Sequence, residues 1–495
     1  MTAPRLGPSA ATSLSAQWPC YDRGNIKTGI VHLGVGAFHR AHQAVYTDGV
    51  LARDPHWGIV GASLRAADTR DALQPQDGLY ALSLRDGESE KLRIIGALRE
   101  VLVAPESPAA LIAAMASPDV RIISMTVTEK GYCHDPASGR LRHDHPDVIH
   151  DLAFPNAPRS APGFIVAALR ARRAAGLKPF SVLCCDNLPA NGRTVHQVLQ
   201  DLAQLQGGDL ASFIRGEVFC PSTMVDRIVP ATTEEDRARI AALLGYQDGW
   251  PVVSEPFSQW VIEDRFSDGR PDWDAEGAEF VTDVAPFELA KLRLLNGAHS
   301  SLAYLGYLSG DETVAEAMAR PDMARFVAFL MEHEVSPTLP PAAGLDVASY
   351  RLALQVRFAN RALRHRTWQI AMDGSQKLPQ RLLGTIRDRL AAGAPIDALA
   401  LGVAAWMAYV TGIDGQGIAI DVRDPLCEVL RRRADGAGRD AVRLALALVG
   451  IEAIFGTDLP QNQRFMKAVS AALEQILRHG APSALAWFHA CQARL

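Results

Sequence analysis

The sequence predicts an α/β fold in which a domain with a mostly parallel sheet is followed by a mainly α-helical C-terminal domain. Through the first two thirds of the chain, short β-rich runs alternate with helical patterns, which is typical of parallel strands joined by helices. After about Ala285 the pattern changes to long segments with the apolar periodicity of helices, separated by Gly and Pro. We therefore expect a first domain at residues 1–284 and a second at residues 285–495.

The strands of the first domain are predicted from apolar runs that are rich in β-branched residues. The runs expected to form the parallel sheet are Gly29–Leu33, Trp57–Leu64, Arg121–Val127 and Ser181–Cys185. Two runs with more alternation are expected to add antiparallel strands, at Leu79–Leu84 and Leu92–Ile95. Because parallel strands need crossover connections, helices are expected at Ala41–Ala52 and Gly163–Ala175.

The helices of the second domain are predicted from apolar residues at helical spacing. The expected segments are Phe287–Leu308, Thr313–His333, Leu352–Leu363, Leu399–Val410 and Val442–Ile454. The longest apolar stretch of the chain, Ala398–Val410, is well short of the ~20 residues that a membrane-spanning helix needs. We therefore expect this stretch to form a buried helix.

The composition excludes several classes of protein. The 495 residues are 48% hydrophobic and 21% charged, as in an ordinary globular protein. Lys and Arg number 50 against 55 Asp and Glu, so a net charge of −5 offers no basic surface to nucleic acid or an anionic membrane. The seven cysteines include no CxxC pair, which argues against a disulfide framework and a structural zinc site. With no signal-peptide pattern in its first 20 residues, the protein is expected to be cytoplasmic.

A glycine turn follows the first predicted strand. The segment Gly29–His39 runs from the strand through Gly34 and Gly36 into a helical pattern, which is the arrangement of a Rossmann-type dinucleotide-binding domain. The glycines allow the backbone to approach a pyrophosphate, and the helix N-terminus favours its negative charge. Gly34, Gly36, Phe38 and His39 are therefore candidate cofactor contacts. His39 stands where the pattern has its third glycine, so an ordinary strand-to-helix turn remains an alternative.

An acidic residue after the second strand is expected to bind the adenosine ribose of the cofactor. Asp68 is the candidate, although it lies further along the chain than in the usual unit. Its charge disfavours the 2′-phosphate of NADP and so favours NAD, whereas Arg65 nearby offsets part of that preference. The alternative role for Asp68 is that of a helix N-cap.

Four polar residues share one side of the helix that is predicted to begin near Pro286. At ~100° per residue and with Lys291 at zero, Glu288, His299 and Asn296 lie at roughly 60°, 80° and 140°. A lysine between apolar neighbours can have a depressed pKa and then act as an acid or base near neutral pH. Asn296 and His299 would orient an alcohol or polarise a carbonyl. The alternative is an ordinary surface pair of Glu288 with Lys291, and a core role for His299.

Two further sets of polar residues are candidates for a chemical role. Asn187 follows the strand predicted at Ser181–Cys185, and ligands of open α/β sheets bind at the carboxyl ends of strands. It is therefore a candidate amide donor to a reacting oxygen, or alternatively a turn former. His39 and His42 resemble half a metal site, but no third ligand stands at a suggestive spacing, so no metal is expected.

Several segments together resemble the long-chain mannitol dehydrogenase family, and the resemblance covers nearly the whole chain. The segments are Gly29–His42 (GIVHLGVGAFHRAH), Thr126–Tyr132 (TVTEKGY), Cys185–Gly192 (CDNLPANG), Met224–Pro230 (MVDRIVP), Gln259–Asp264 (QWVIED) and Lys291–Ser300 (KLRLLNGAHS). This family oxidises polyols or reduces keto-sugars with NAD and without a metal. The resemblance therefore implies an NAD-dependent secondary-alcohol dehydrogenase.

The resemblance also implies roles for the residues that are candidates for catalysis. Lys291 matches the general acid/base of the family. Asn187 and Asn296 match the residues that hold the reacting oxygen, and His299 matches the residue that orients the substrate. Glu288 matches the carboxylate that links the lysine to solvent.

In the first domain, the resemblance supports the cofactor assignment. Gly34 and Gly36 match the pyrophosphate turn of the family, and Asp68 matches the position associated with a preference for NAD. The family has a histidine at the position of His39, so the missing third glycine does not count against a cofactor site.

Within the family, the chain most resembles the fructuronate reductases. The supporting segments are Thr128–Tyr132, Lys291–Arg293 and Leu363–Leu382. The resemblance implies reversible reduction of D-fructuronate to D-mannonate with NAD, and a hexuronate, keto-sugar or polyol as the small-molecule substrate. A mannitol 2-dehydrogenase or another polyol dehydrogenase of the same family is one alternative. A nucleotide-binding regulatory protein without turnover is the other.

A uronate substrate needs a cationic partner for its carboxylate. Lys130, Arg366 and Lys377 are the candidates, each with a surface or packing role as the alternative. Arg293 lies at roughly 200° on the helical wheel, away from Lys291, which favours a structural role for it.

Overall fold

The computed structural model describes residues 3–8, 10, 15–135 and 138–493, and the chain forms two compact units. The first unit comprises Met1–Ala285 and the second Pro286–Leu495, so the division lies one residue beyond the predicted boundary. All seven cysteines lie in the described ranges and are free thiols. Within those ranges, no helix combines the length and the apolarity that crossing a membrane requires.

The strands of the described residues all lie in the first unit. They are β1 (Ala16–Gln17), β2 (Thr28–Leu33), β3 (Gly58–Ser63), β4 (Tyr80–Asp86), β5 (Ser89–Ile95), β6 (Leu98–Val103), β7 (Ile122–Met125), β8 (Ser181–Cys184), β9 (Thr223–Asp226), β10 (Val252–Ser254), β11 (Gln259–Glu263) and β12 (Glu279–Val281). Five of them form a fully parallel sheet in the order β6-β3-β2-β7-β8. Counted along the chain, this is the 3-2-1-4-5 order of a Rossmann-type sheet, and it confirms the predicted fold class.

The helices of the first unit pack against its sheets and against one another. They are α1 (Ala37–Ala41), α2 (Gln43–Val50), α3 (Asp68–Leu73), α4 (Pro108–Ala116), α5 (Pro146–Ala153), α6 (Ala161–Ala174), α7 (Asn191–Gln206), α8 (Leu210–Glu217) and α9 (Glu234–Leu244). Val31 of β2 and Ile123 of β7 enter one core together with α4, α6 and α7. Ile30 and Ile122, which point the other way, enter a second core with α2. Burial on both faces explains why these strands are apolar almost throughout.

Two smaller sheets complete the first unit. One has the order β1-β5-β4-β10, and it contains the antiparallel pair β4–β5 that the alternating runs predicted. The other has the order β12-β11-β9. The helix predicted at Ala41–Ala52 is confirmed as α2 over Gln43–Val50. Its first residue belongs to α1 instead, because the backbone of His42 leaves the helical region, at φ −124° and ψ −95°.

In the described residues, every regular element of the second unit is a helix. Its α-helices are α10 (Ala285–Ala290), α11 (Ala298–Ser309), α12 (Val314–Met318), α13 (Pro321–Phe329), α14 (Val347–Phe358), α15 (Thr367–Ala371), α16 (Gly374–Leu378), α17 (Gly384–Ala391), α18 (Asp397–Tyr409), α19 (Cys427–Ala437), α20 (Ala441–Val449), α21 (Glu452–Phe455) and α22 (Gln463–Gln492). Three π-helical segments continue α-helices, at Lys291–Gly297, Leu330–Val335 and Pro379–Leu383.

The core of the second unit surrounds α18, which is buried at every position from Ala398 to Tyr409 and packs against α11 and α22. This confirms the expectation of a buried helix in the longest apolar stretch. The segment predicted as one helix at Thr313–His333 is interrupted, because Pro321 begins a new helix. The segment predicted at Phe287–Leu308 is continuous, but its middle is π-helical rather than α-helical.

Candidate active site

The glycine turn lies directly after β2, beside the end of β7. Gly34 has a positive φ of 91°, and a Cβ at this position would come within 2.2 Å of the Thr126 carbonyl oxygen. Gly36 is the N-cap of α1 and is exposed, and the atom nearest to its Cβ position is the Gly34 oxygen at 4.0 Å. Only glycine fits at position 34, whereas the space next to the backbone at position 36 is open. This is the space that a pyrophosphate needs in Rossmann-type domains.

His32 fixes the shape of this turn, and sequence reasoning missed it. Its Nε2 lies 3.1 Å from the Gly34 oxygen, and its Nδ1 lies 2.8 Å from the Ser124 hydroxyl. The Thr126 hydroxyl donates to the same Gly34 oxygen at 2.7 Å. Burial lowers the pKa of His32 to about 3, so the ring is neutral and can donate through one nitrogen while accepting through the other. A histidine inside an apolar strand was the only signal in the sequence.

The side chains of Phe38 and His39 stack on other rings, and neither residue lines the cleft that lies beside the glycine turn. His39 is 1% exposed and stacks on His32 with ring centroids 3.4 Å apart. Phe38 stacks on His42 at 5.0 Å. His39 is thus buried and Phe38 half-buried, and their roles as cofactor contacts stay a prediction.

A cleft of about 960 Å³ lies at the carboxyl ends of β2, β3, β6 and β7. The two glycines of the turn line it, as do the basic residues Arg65, Lys130 and Arg159. Because β2 and β7 lie where the strand order reverses, the cleft occupies the position at which open α/β sheets bind ligands. The cleft is therefore the candidate dinucleotide site.

Asp68 is exposed at the start of α3, next to this cleft. Ala66 and Thr69, on either side of it, line the cleft. The N-cap of α3 is Ala67, so the alternative role of Asp68 as the N-cap is wrong. Its role towards a ribose stays a prediction.

Asn191 stabilises the loop that carries Asn187 through hydrogen bonds. The Asn191 amide nitrogen donates to the oxygens of Asp186 and Thr223 at 3.2 and 2.9 Å, and its oxygen accepts from the Thr223 amide at 2.9 Å. Gly192 lies against a neighbouring backbone, where a Cβ would come within 2.3 Å of the Cys220 oxygen. Asn187 itself is exposed on this braced loop. Sequence reasoning missed Asn191, which stands in the quoted segment Cys185–Gly192.

A half-buried carboxylate joins the same loop to the loop after β7. Asp186 accepts hydrogen bonds from the Val127 amide at 2.8 Å and from the Tyr132 hydroxyl at 2.6 Å. Burial raises the pKa of Asp186 above its usual range. The two loops at the carboxyl end of the sheet are therefore coupled through one side chain.

In the second unit, the predicted polar group lies on a π-helical turn. Lys291 begins the segment Lys291–Gly297 and is only 8% exposed, so the alternative of a solvated surface pair is wrong for the lysine. Glu288 and Asn296 are half-buried, and His299 follows on α11. The i→i+5 hydrogen bonds of a π-helix widen the turn, so the angles of the predicted helical wheel do not hold beyond Lys291. Such turns occur frequently at functional sites.

Arg293 has the structural role that its position on the wheel favoured. Its guanidinium pairs with Asp388 at 2.6 Å and donates to the Thr338 hydroxyl at 2.7 Å. It is 8% exposed. The Arg293–Asp388 ion pair therefore connects the π-helical segment Lys291–Gly297 to α17.

His299 is buried with one nitrogen available to a ligand. Its ring stacks on Phe358 at 5.1 Å and meets the edge of His365 at 4.9 Å. Its Nε2 is buried and has no hydrogen-bond partner among the described residues. Burial lowers the pKa of His299 well below its usual value, and the charges of His365 and Arg381 lower it further. A neutral ring with an unsatisfied buried nitrogen is suited to bind a substrate hydroxyl.

The three candidate carboxylate partners lie in different surroundings. Lys377 is half-buried and donates from Nζ to the carbonyls of Met372 and Ile370, at 2.5 and 3.3 Å. Its charge also lowers the pKa of His299, which places it near the π turn. Arg366 is exposed at the start of α15, whereas Lys130 is exposed along the dinucleotide cleft.

Potential metal ligands come together at a place that the sequence did not indicate. The ligand atoms of Cys133, His145 and Asp147 lie within 4.8 Å of one another, the one such trio in the described ranges. His145 and Asp147 already interact, because the Asp147 amide donates to the His145 Nδ1 at 3.2 Å. His42, one of the predicted half-pair, has its Nε2 3.0 Å from the Gln259 oxygen. The absence of a functional metal stays a prediction.

Comparisons with known proteins agree over nearly the full length. Models of a mannitol dehydrogenase Rossmann domain and a mannitol dehydrogenase C-terminal domain match residues 28–275 and 283–477. D-mannonate oxidoreductase of Escherichia coli K12 is 49% identical over 96% of this chain and 98% of that protein. The uncharacterized oxidoreductase YdfI of the same organism is 46% identical over 96% and 98%. Pseudomonas fluorescens mannitol 2-dehydrogenase, solved with NAD and D-mannitol, is 38% identical with a TM-score of 0.88, covering 99% of both chains.

Proposed function

The chain belongs to the mannitol dehydrogenase family, and from this premise we propose that it reduces D-fructuronate to D-mannonate, reversibly, with NADH as the hydride donor. The observation that carries the substrate is the similarity to D-mannonate oxidoreductase, which exceeds that to mannitol 2-dehydrogenase over comparable lengths. The free cysteines fit a reducing compartment, so we place the reaction in the cytoplasm.

The residues of the cleft fit a dinucleotide. The open space above Gly36 accommodates a pyrophosphate, and the strand order places the cleft at the usual binding position. Asp68 disfavours a 2′-phosphate and Arg65 offsets part of that preference, so NAD is the proposed cofactor. When bound, the reduced cofactor supplies the hydride that reaches the ketone carbon of the substrate.

The proton is supplied by residues of this chain. Lys291 donates it to the oxygen of the reduced carbonyl, and the reverse reaction uses neutral Lys291 as the base. Asn296 donates a hydrogen bond to the same oxygen as its negative charge develops, and the role proposed for Asn187 is likewise that of an amide donor to a reacting oxygen. His299 binds a substrate hydroxyl through its unsatisfied nitrogen and so orients the sugar. Glu288, half-buried one turn before the lysine, exchanges the proton with solvent.

The substrate is tested by initial rates of NADH oxidation with fructuronate, tagaturonate and fructose at matched concentrations. We expect a clear preference for fructuronate, because a six-carbon uronate adds a carboxylate that neutral fructose lacks. The same panel with NADPH checks the cofactor, and slower rates are expected there. A preference for fructose would overturn the substrate and favour a mannitol 2-dehydrogenase. NADH binding without oxidation by any keto-sugar would instead favour a protein without turnover.

The glycine turn provides a separate test of the cofactor site. We expect Gly36→Ala to weaken NADH binding by about tenfold to a hundredfold, because the methyl group occupies the space of the pyrophosphate. The fold should be unaffected, since the φ of −79° accepts alanine and no protein atom lies close to the new Cβ. Fluorescence titration with NADH measures the Kd, and a thermal scan checks the fold. An unchanged Kd in a folded variant would contradict the placement of the pyrophosphate.

A further inference from the structure

A hairpin that follows β7 brings a cysteine close to the start of α5. The Cys133 oxygen accepts from the Arg142 amide at 2.8 Å, and His134 pairs with Leu141 in a short antiparallel bridge. His145 stands three residues after Arg142, as the N-cap of α5. The chain from Cys133 to His145 therefore folds back on itself, and the side chains at its two ends come together.

The side chains of Cys133, His145 and Asp147 form a compact trio of potential metal ligands. Their ligand atoms lie within 4.8 Å of one another. Metal–ligand distances of about 2.0–2.3 Å place the ligands of one tetrahedral zinc ion roughly 3.5 Å apart, so shifts of about 1 Å close this trio around an ion. Cys133 is buried and the other two residues are half-buried, which shields such an ion from much of the solvent.

The three groups have lone pairs that a metal can take. The Cys133 thiol makes only a long contact of 3.9 Å with the Gly131 oxygen. Within the described ranges, the Asp147 carboxylate takes part in no hydrogen bond or ion pair. The His145 Nδ1 accepts from the Asp147 amide at 3.2 Å, so the lone pair of this nitrogen faces the start of α5. A metal bound there replaces this one hydrogen bond.

The chemistry of the trio selects the class of metal. Thiolate and imidazole are ligands of zinc and similar transition metals, whereas calcium and magnesium prefer sites built from oxygen. Three protein ligands leave the fourth tetrahedral position to a water molecule. Binding replaces the proton of the Cys133 thiol, and this proton passes to solvent.

The trio lies at the wall of the dinucleotide cleft. Asp147 lines this cleft, as do Lys130 and Gly131, which precede Cys133 in the chain. None of the residues to which proton transfer or binding of the substrate is assigned belongs to the trio. An ion at this place would therefore connect two segments of the cleft wall without taking part in the reaction.

We propose that Cys133, His145 and Asp147 bind one divalent transition-metal ion of the zinc type, which joins the hairpin after β7 to α5. The role of the ion is structural. This site departs from the expectation that no metal is bound, whereas the proposed reaction remains free of one. The proposal does not rest on the proposed function, because no step of that reaction uses the trio.

The first experiment measures binding of Zn²⁺ to the full-length protein after a chelator has removed bound metal. Equilibrium dialysis gives the number of ions and the Kd, and we expect one ion for each wild-type chain. Cys133→Ser and Asp147→Asn should each weaken binding by at least about tenfold, because one ligand is lost. Cys427→Ser removes a half-buried free thiol outside the trio and should bind Zn²⁺ as wild type does.

A second metal identifies the ligand directly. Co²⁺ bound to a thiolate has a charge-transfer absorption band in the near ultraviolet, which Co²⁺ bound only to nitrogen and oxygen lacks. We expect this band in wild type and Cys427→Ser, and its loss in Cys133→Ser. Thermal scans should show that Zn²⁺ stabilises wild type but not Cys133→Ser, because only an ion that binds the folded state raises its stability.

Several outcomes would overturn the proposal. These are no bound ion in wild type, equal Zn²⁺ affinity in wild type and both trio variants, or a cobalt–thiolate band that persists in Cys133→Ser. If Cys133→Ser fails to fold, Asp147→Asn decides: weaker Zn²⁺ binding supports the site, and unchanged binding overturns it. The metal-free protein should keep its turnover at saturating NADH, and a turnover that depends on Zn²⁺ would overturn the structural role. Failure of the substrate panel would overturn the proposed function and leave these results as they stand.

Discussion

Replacement of Lys291 by alanine is expected to lower kcat for ketone reduction by about 10³-fold, because a positioned proton donor is removed from the transition state. NADH binding should be unchanged, since the lysine lies in the helical unit and the candidate dinucleotide cleft is built from the parallel sheet. Steady-state rates with fructuronate measure kcat, and fluorescence titration measures the Kd of NADH. Both measurements are needed to separate lost chemistry from lost binding.

Two controls make the loss at Lys291 specific. Lys467→Ala removes a lysine from an exposed position of α22 and should leave kcat unchanged. Added primary amines should restore part of the activity of Lys291→Ala, because they can supply the missing acid, whereas they cannot repair a distorted helix. Near-normal turnover of Lys291→Ala with intact NADH binding would refute the assignment of the general acid.

Replacement of Gly192 by alanine is expected to lower the free energy of unfolding by roughly 3 kcal/mol or more, at the upper end of overpacking effects. The new Cβ would lie 2.3, 2.6 and 2.7 Å from backbone atoms of Cys220, Ser222 and Pro221. Backbone atoms cannot rotate away as a flexible side chain can, so the start of α7 must shift. The loop that carries Asn187 precedes this point by a few residues, and turnover should fall with stability.

The matched control for Gly192→Ala is Gly216→Ala in α8. No atom lies within 4 Å of the Cβ position at Gly216, and its φ is not in the left-handed region. Alanine is the better helix former, so this variant should be as stable as wild type or more stable by up to about 1 kcal/mol. Chemical denaturation measures both variants. Equal stability of Gly192→Ala and wild type would show that the described contact is wrong.

The parallel sheet is predictable from the sequence because its strands are buried on both faces and therefore read as apolar runs. The small sheet of β9, β11 and β12 is not, because its strands have three to five residues and include Asp226, Gln259 and Glu279. The division of the predicted helix at His42 is equally hidden, since no Pro or Gly marks it.

The candidate site is predictable only where it depends on local sequence. The glycine turn and the polar residues from Glu288 to His299 form recognisable patterns. His32 and Asn191 act through partners that lie far away in sequence, such as Thr126, 94 residues from His32, and Thr223, 32 residues from Asn191.

The π-helical turn at Lys291–Gly297 makes the length of this helix, and not only its composition, part of the site. A π turn corresponds to one residue inserted into an α-helix, so deleting one residue there would restore the regular hydrogen-bond ladder. The deleted form would have the more regular helix, yet it would lose the widened turn on which Lys291 and Asn296 lie and change their positions relative to His299. Insertions and deletions, which surface loops absorb readily, would here separate the proton donor from the groups that bind the substrate.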